Sequence, residues 1–203
     1  MRLTLIGLLL SSLLPQTPGS EVSILVHRLE AHHSRVGDMT ARFVQTYRSG
    51  VLGQEIVETG RLSLKRPGQM RWEYEEPERK TYVSDGKAFY FYVPSERQVV
   101  VQEHAGQRGL ALTLLSGQAN ILEQFSASLA GAGRLELTPR DPDPNVSRVW
   151  VELDALDRIR RIEYTDIQAN FNAFLFEDIH ENVGLRDELF EFEIPRDVEV
   201  VRG

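Results

Sequence analysis

The chain has 203 residues, 41% hydrophobic and 26% charged, which supplies one hydrophobic core and is too short for two of ordinary size. A net charge of −7 argues against binding nucleic acid by neutralising phosphates. The absence of cysteine excludes disulfides, thiolate metal sites, a cysteine nucleophile and a lipid-modified N-terminal cysteine.

Arg2 precedes an apolar run over 3–14, and 15–20 is rich in Pro, Gly and Ser. This layout predicts a secretory leader over 1–20, its cleavage point left open by Pro18, and one domain over 21–203. No later segment approaches the roughly 20 apolar residues of a membrane span, so a soluble, exported chain is expected. Val22, Leu25, Val26 and Leu29 recur at helical spacing and predict a helix over 21–36. After Gly37 the period changes to two. Residues 39–47 and 55–64 predict a hairpin through Gly50 and Gly53, and Met70, Trp72 and Tyr74 alternate with Arg71, Glu73 and Glu75 as in a strand with one apolar and one wet face.

Strands are expected at 81–84, 88–93 and 98–102; the second is apolar or aromatic throughout, so it needs cover on both faces and is expected to be central. Residues 110–125 turn helical, with a break at Gly117. Strands resume at 134–138, 146–154, 159–165, 169–179 and 189–194, with Phe171, Ala173 and Leu175 on one face of the fourth and Phe174 and Phe176 on the other. The fold class is α+β: a long antiparallel sheet, preceded by a helix and interrupted by a helical segment, which must curl or close.

Signatures of catalysis are missing: there is no phosphate-binding glycine loop, no G-x-S-x-G and no H-E-x-x-H. His32 and His33 are neighbours on a helix and diverge by about 100°, so they do not share an ion. Ser84 and Asp85 read as a turn, and 141–145 with Glu152 mimics part of a calcium loop but puts Val146 where its sharp-turn glycine belongs. Neither metal nor cofactor is expected, and no enzymatic activity.

Five blocks carry a resemblance: TARFVQ (40–45), GRLSLKRP (60–67), MRWEY (70–74), Pro77 and VSDGK (83–87). In order and spacing they resemble the LolA family of periplasmic lipoprotein carriers, and FEFEIP (190–195) with 198–201 is similar to that family's last strand and tail. The resemblance implies an unclosed β-barrel with a helical lid over an apolar cavity that carries the acyl chains of lipoproteins through the periplasm. It implies as partners acylated lipoproteins, an inner-membrane lipoprotein-releasing ABC transporter and an outer-membrane acceptor. It also implies that Arg66 holds the lid closed by hydrogen bonds. Met70 stands where the family often has an aromatic residue.

Under that resemblance Phe43, Leu62, Leu64, Met70, Trp72, Tyr90 and Tyr92 are the strand residues expected to line the hollow, and the implied lid is 110–125, including Leu110, Leu112, Leu114 and Leu115, together with the first helix. Pro67 biases Arg66 toward an extended backbone, from which its five donors could gather the carbonyls of a neighbouring helix end or loop. A monomer is expected. Reversible transport requires the hollow to stay partly unfilled, because each buried methylene is worth about 0.8 kcal/mol and the cargo must also leave. The rival readings are a carrier of another lipid, such as a glycolipid or pigment, a protein-binding scaffold marked by a filled interior, and an enzyme marked by polar groups converging inside.

Overall fold

The computed structural model describes residues 18–103, 110–117, 120–143 and 145–203. The leader expected over 1–20 lies outside this range as far as residue 17. Helix α1 (Pro18–His33) opens with a proline, whose fixed φ suits the first turn. It buries Val22, Leu25, Val26 and Leu29 and leaves His27 and Arg28 in solvent. It ends three residues earlier than the apolar spacing suggests.

The sheet contains β1 (Asp38–Arg48), β2 (Glu55–Lys65), β3 (Gln69–Glu76), β4 (Lys80–Asp85), β5 (Ala88–Val93) and β6 (Gln98–Glu103). Two short helices follow, α2 (Leu110–Leu115) and α3 (Ile121–Gln124), and then β7 (Phe125–Leu129), β8 (Arg134–Pro139), β9 (Arg148–Leu153), β10 (Ile159–Thr165), β11 (Phe171–Glu181) and β12 (Glu199–Arg202). The strand order is β12-β6-β5-β4-β3-β2-β1-β11-β10-β9-β8-β7. Two meanders are therefore joined by the long pair β1 and β11. The ladders are antiparallel except for β12, which runs parallel to β6. β7 and β12 remain edges, so the barrel is unclosed. Its curvature is strong: Trp72 of β3 and Phe174 of β11, separated by three ladders or about 14 Å on a flat sheet, have ring centroids 5.4 Å apart.

Three expectations are corrected. The helical stretch 110–125 stops at Gln124, and Phe125 opens β7, whose short period-two pattern is hidden by the leucine-rich run before it. Residues 189–194 are not a strand: Asp187–Phe190 is a 3-10 turn followed by irregular chain. β5 is not central, since only β6 and β12 lie beyond it. Its two apolar faces have another cause. After β11 the chain crosses the convex face as a strap, fastened where the Asp38 carboxylate accepts the amides of Val183 at 2.7 Å, Gly184 at 3.0 Å and Leu185 at 3.0 Å. Lys65 Nζ donates to the Leu185 carbonyl at 2.7 Å and pairs with Asp187 at 2.6 Å. Phe190 is completely buried under this strap, and Phe192 stacks on Tyr90 with centroids 5.4 Å apart.

Candidate functional site: the concave face and its helical cover

The registers of β1, β2 and β3 place Met39, Ala41 and Phe43 beside Leu64, Leu62 and Gly60, and these beside Met70, Trp72 and Tyr74. All lie on the concave face. Gly60 is required there, because a Cβ would stand 2.7 Å from the Phe43 ring and 2.1 Å from the Glu73 carbonyl oxygen. Phe43 meets Trp72 and Tyr74 edge-on at 5.0 and 4.8 Å. Such aromatic pairs contribute about 0.5–1.5 kcal/mol beyond their buried area.

Of the residues expected to line the hollow, Phe43, Leu62, Leu64, Met70 and Trp72 share this face and are buried. Tyr90 and Tyr92 do not. Tyr82 pairs with Phe91 and Val83 with Tyr90, so Tyr82 and Phe91 stack on the concave side at 4.2 Å while Tyr90 and Tyr92 turn outward onto Phe192. Four consecutive aromatic residues at 89–92, between Ala88 and Val93, erase the alternation that assigns faces. Phe174 and Phe176 of β11, by contrast, join the aromatic cluster beside Trp72 at 5.4 and 6.1 Å. Their parity along β11 was the available signal, and they belong with the lining set.

Helices cover this face. Val26 and Leu29 of α1, Leu114 and Leu115 of α2 and Ile121 of α3 all belong to the same buried cluster as the strand residues, with Leu110 packed at its margin. The Leu112 side chain lies outside the described residues. The expected unfilled hollow is absent among the described residues: Phe43 is 1% and Trp72 6% exposed, and the larger spaces lie at the margins of the helices. An empty apolar cavity is costly, which favours helices seated directly on the aromatic floor. Toward the β1–β2 turn the floor becomes polar, where Tyr74 donates to Gln45 Oε1 at 2.7 Å and Gln45 Nε2 to Asn172 Oδ1 at 3.2 Å. Burial pushes the Tyr74 phenol up, so it stays a proton donor.

At the other end of the floor stands Arg66. Its backbone amide donates to the Gly37 carbonyl at 2.9 Å, and its guanidinium Nη1 donates to the His33 carbonyl, at the C-terminus of α1. A cation there adds a second donor to a carbonyl that also accepts the Val36 amide at 3.2 Å, and it complements the helix dipole. Burial lowers the Arg66 pKa and nearby Glu181 raises it. Gly117, at φ +64°, closes the arrangement from the α2 side: a Cβ on it would stand 2.6 Å from Arg66 Nη2 and 3.0 Å from both Cβ and Nδ1 of His33. The adjacent histidines have different partners, as their divergence on the helix requires. His32 Nε2 lies 2.8 Å from Glu181 Oε1, whereas His33 faces Arg66, beside a pocket of about 260 Å³. Sequence reasoning missed His33 and Gly117 as parts of this site, since neither falls within the Arg66 block.

The sequence profile described as outer membrane lipoprotein carrier protein LolA matches residues 34–193. An outer-membrane lipoprotein carrier protein of Chromohalobacter salexigens is 33% identical over 193 residues, covering 92% of this chain and 88% of its own. One of Pseudomonas aeruginosa is 30% identical over 188 residues, covering 89% and 88%. In structure, an uncharacterized conserved protein of Thermus thermophilus superposes with a TM-score of 0.55 at 14% identity, covering 89% of this chain and 98% of that one, which shows a shared fold. Relatives matched over about nine-tenths of both chains and a profile that spans both the aromatic floor and the Arg66 block establish that the chain belongs to the LolA family of outer membrane lipoprotein carrier proteins.

Proposed function

We propose that this protein binds acylated lipoproteins released from the inner membrane and carries their acyl chains across the periplasm to the outer membrane. The observation that carries the reading is an aromatic and aliphatic floor roofed by three helices, one of which is held at its C-terminus by Arg66. Acyl chains would take the place of the helices on Phe43, Leu62, Leu64, Met70, Trp72, Phe174 and Phe176. Leu110, Leu114 and Leu115 would then be the part of the lid that yields, with α1. An inner-membrane ABC transporter would load the chain and an outer-membrane acceptor would unload it. Residues 1–20 would serve as the export leader of a monomeric, non-enzymatic carrier.

The packed interior gives this scheme its direction. A lid that refills the hollow competes with the cargo, so every contact that favours closure favours release. A hydrogen bond to a charged donor is worth about 1.5–3 kcal/mol. Arg66→Leu is therefore expected to fold normally by circular dichroism and to retain acylated cargo about 10- to 100-fold longer in a handover assay with acceptor membranes. Handover at the wild-type rate would remove Arg66 from the mechanism. A chain that binds no diacylglyceryl peptide would remove the carrier reading and leave the scaffold.

A further inference from the structure

We propose that His33 sets the state of the latch: the lid is held shut by Arg66 only while the His33 imidazole is neutral, and acid opens it. The inference rests on the reading of Arg66 as the lid latch. One residue provides both the anchor and the sensor. The His33 carbonyl accepts the guanidinium, and its imidazole turns toward the same group, in a pocket of about 260 Å³ also lined by Glu30, Leu114 and Gly117. Over Gly117 the two side chains converge, with Arg66 Nη2 and His33 Nδ1 2.6 and 3.0 Å from a single point. A proton on His33 would set a second cation against Arg66 where burial limits screening by solvent.

The surrounding carboxylates offset that repulsion only in part. Arg66 faces His33 from the end of β2, Glu30 and His32 come from α1, and Glu181 from β11; the described residues of α2 bring no titratable side chain. Glu181 is engaged by His32 at 2.8 Å, and Glu30 lies 3.6 Å from His27 on the outer side of the helix. Burial first, then Arg66 and His32, hold the His33 pKa down at about 4. Lifting the lid returns the ring to water and to its ordinary value of about 6.5. The closed state thus has its full stability above about pH 6.5, loses it progressively as pH falls to about 4, and loses no more below that. Between pH 7 and 5 the ratio of open to closed lid is expected to rise about 20-fold. In acid the carrier holds its cargo longer.

The chain has no cysteine, so spin labels placed by Glu123→Cys and Lys87→Cys, both exposed positions, report the distance between lid and sheet without any lipid present. The wild-type distance distribution is expected to lengthen between pH 7.5 and 4.5 while circular dichroism shows the sheet intact. His33→Gln should abolish the change, and His180→Gln, at an exposed position on β11, should keep it. In the unlabelled wild-type chain the His33 ring should titrate by NMR between about pH 4 and 6.5, at a midpoint set by the population of the open lid, a measurement independent of how the variants fold. A distance that does not change with pH, a change that survives His33→Gln, or a His33 midpoint at or above 6.5 would overturn the proposal. Since no lipid is used, any of these outcomes leaves the carrier reading standing. Failure to bind a diacylglyceryl peptide, with the pH response present, would remove carriage alone.

Discussion

Gly117 shows how much a single backbone conformation decides. Its φ of +64° is a left-handed geometry that disfavours side chains, and a methyl group there would intrude on Arg66 Nη2. The guanidinium is the end of a long chain and moves aside easily, but moving aside breaks its bond to the His33 carbonyl. Gly117→Ala is therefore expected to unlatch the lid by about 1–3 kcal/mol while the sheet keeps its stability. Faster amide exchange in 110–117, with unchanged exchange in β1 and β11, is the expected readout; equal protection in both variants would show that the site tolerates a methyl group. Arg66 itself was legible as a donor at the end of a strand. Its acceptor was not, because His33 lies 33 positions away and only the folded chain brings the end of α1 to it.

Among the elements, the strap after β11 accounts for what the strand pattern left ambiguous. Phe190 and Phe192 alternate with acidic residues as a strand would, yet Phe190 is buried against β3 and β4 and Phe192 stacks on Tyr90 of β5 rather than extending the sheet. Phe190 is completely buried, so Phe190→Ala is expected to cost about 3–5 kcal/mol. A lower denaturant midpoint with an unchanged slope would report it, and the lid distances should stay as in wild type, since the strap lies on the opposite face. Helix α1 is attached differently, by its apolar stripe and by peripheral ion pairs such as Arg28 Nη2 to Asp157 Oδ1 at 2.5 Å. Exposed pairs of this kind contribute roughly 0–1 kcal/mol, so packing and the Arg66 contact hold this helix down.

At the scale of the whole molecule, an unclosed barrel filled by its own helices would, under the proposed function, make cargo and helices alternative occupants of one floor. Adding a diacylglyceryl peptide should raise deuterium uptake in 18–33 and 110–115 and leave β1, β2 and β11 protected, because the long central ladders are independent of the cover. Unchanged uptake in the helices upon binding would place the acyl chains elsewhere. Alternation in β1, β2 and β3 was sufficient to assign their inward residues, since a period of two has one solution wherever the other face is polar, whereas in β11 both faces carry apolar residues and only the fold brings Phe174 and Phe176 onto the floor. Where both faces are apolar, as in β5, that rule has no purchase, and Tyr90 and Tyr92 were assigned to the wrong side. The local pattern of the chain thus determined its class, most of its strands and the aromatic floor, all consequences of side-chain spacing along a few residues. Which face the strap covers, how fully the helices fill the hollow, and which carbonyl Arg66 reaches were decided by contacts between distant segments, for which local periodicity holds no information.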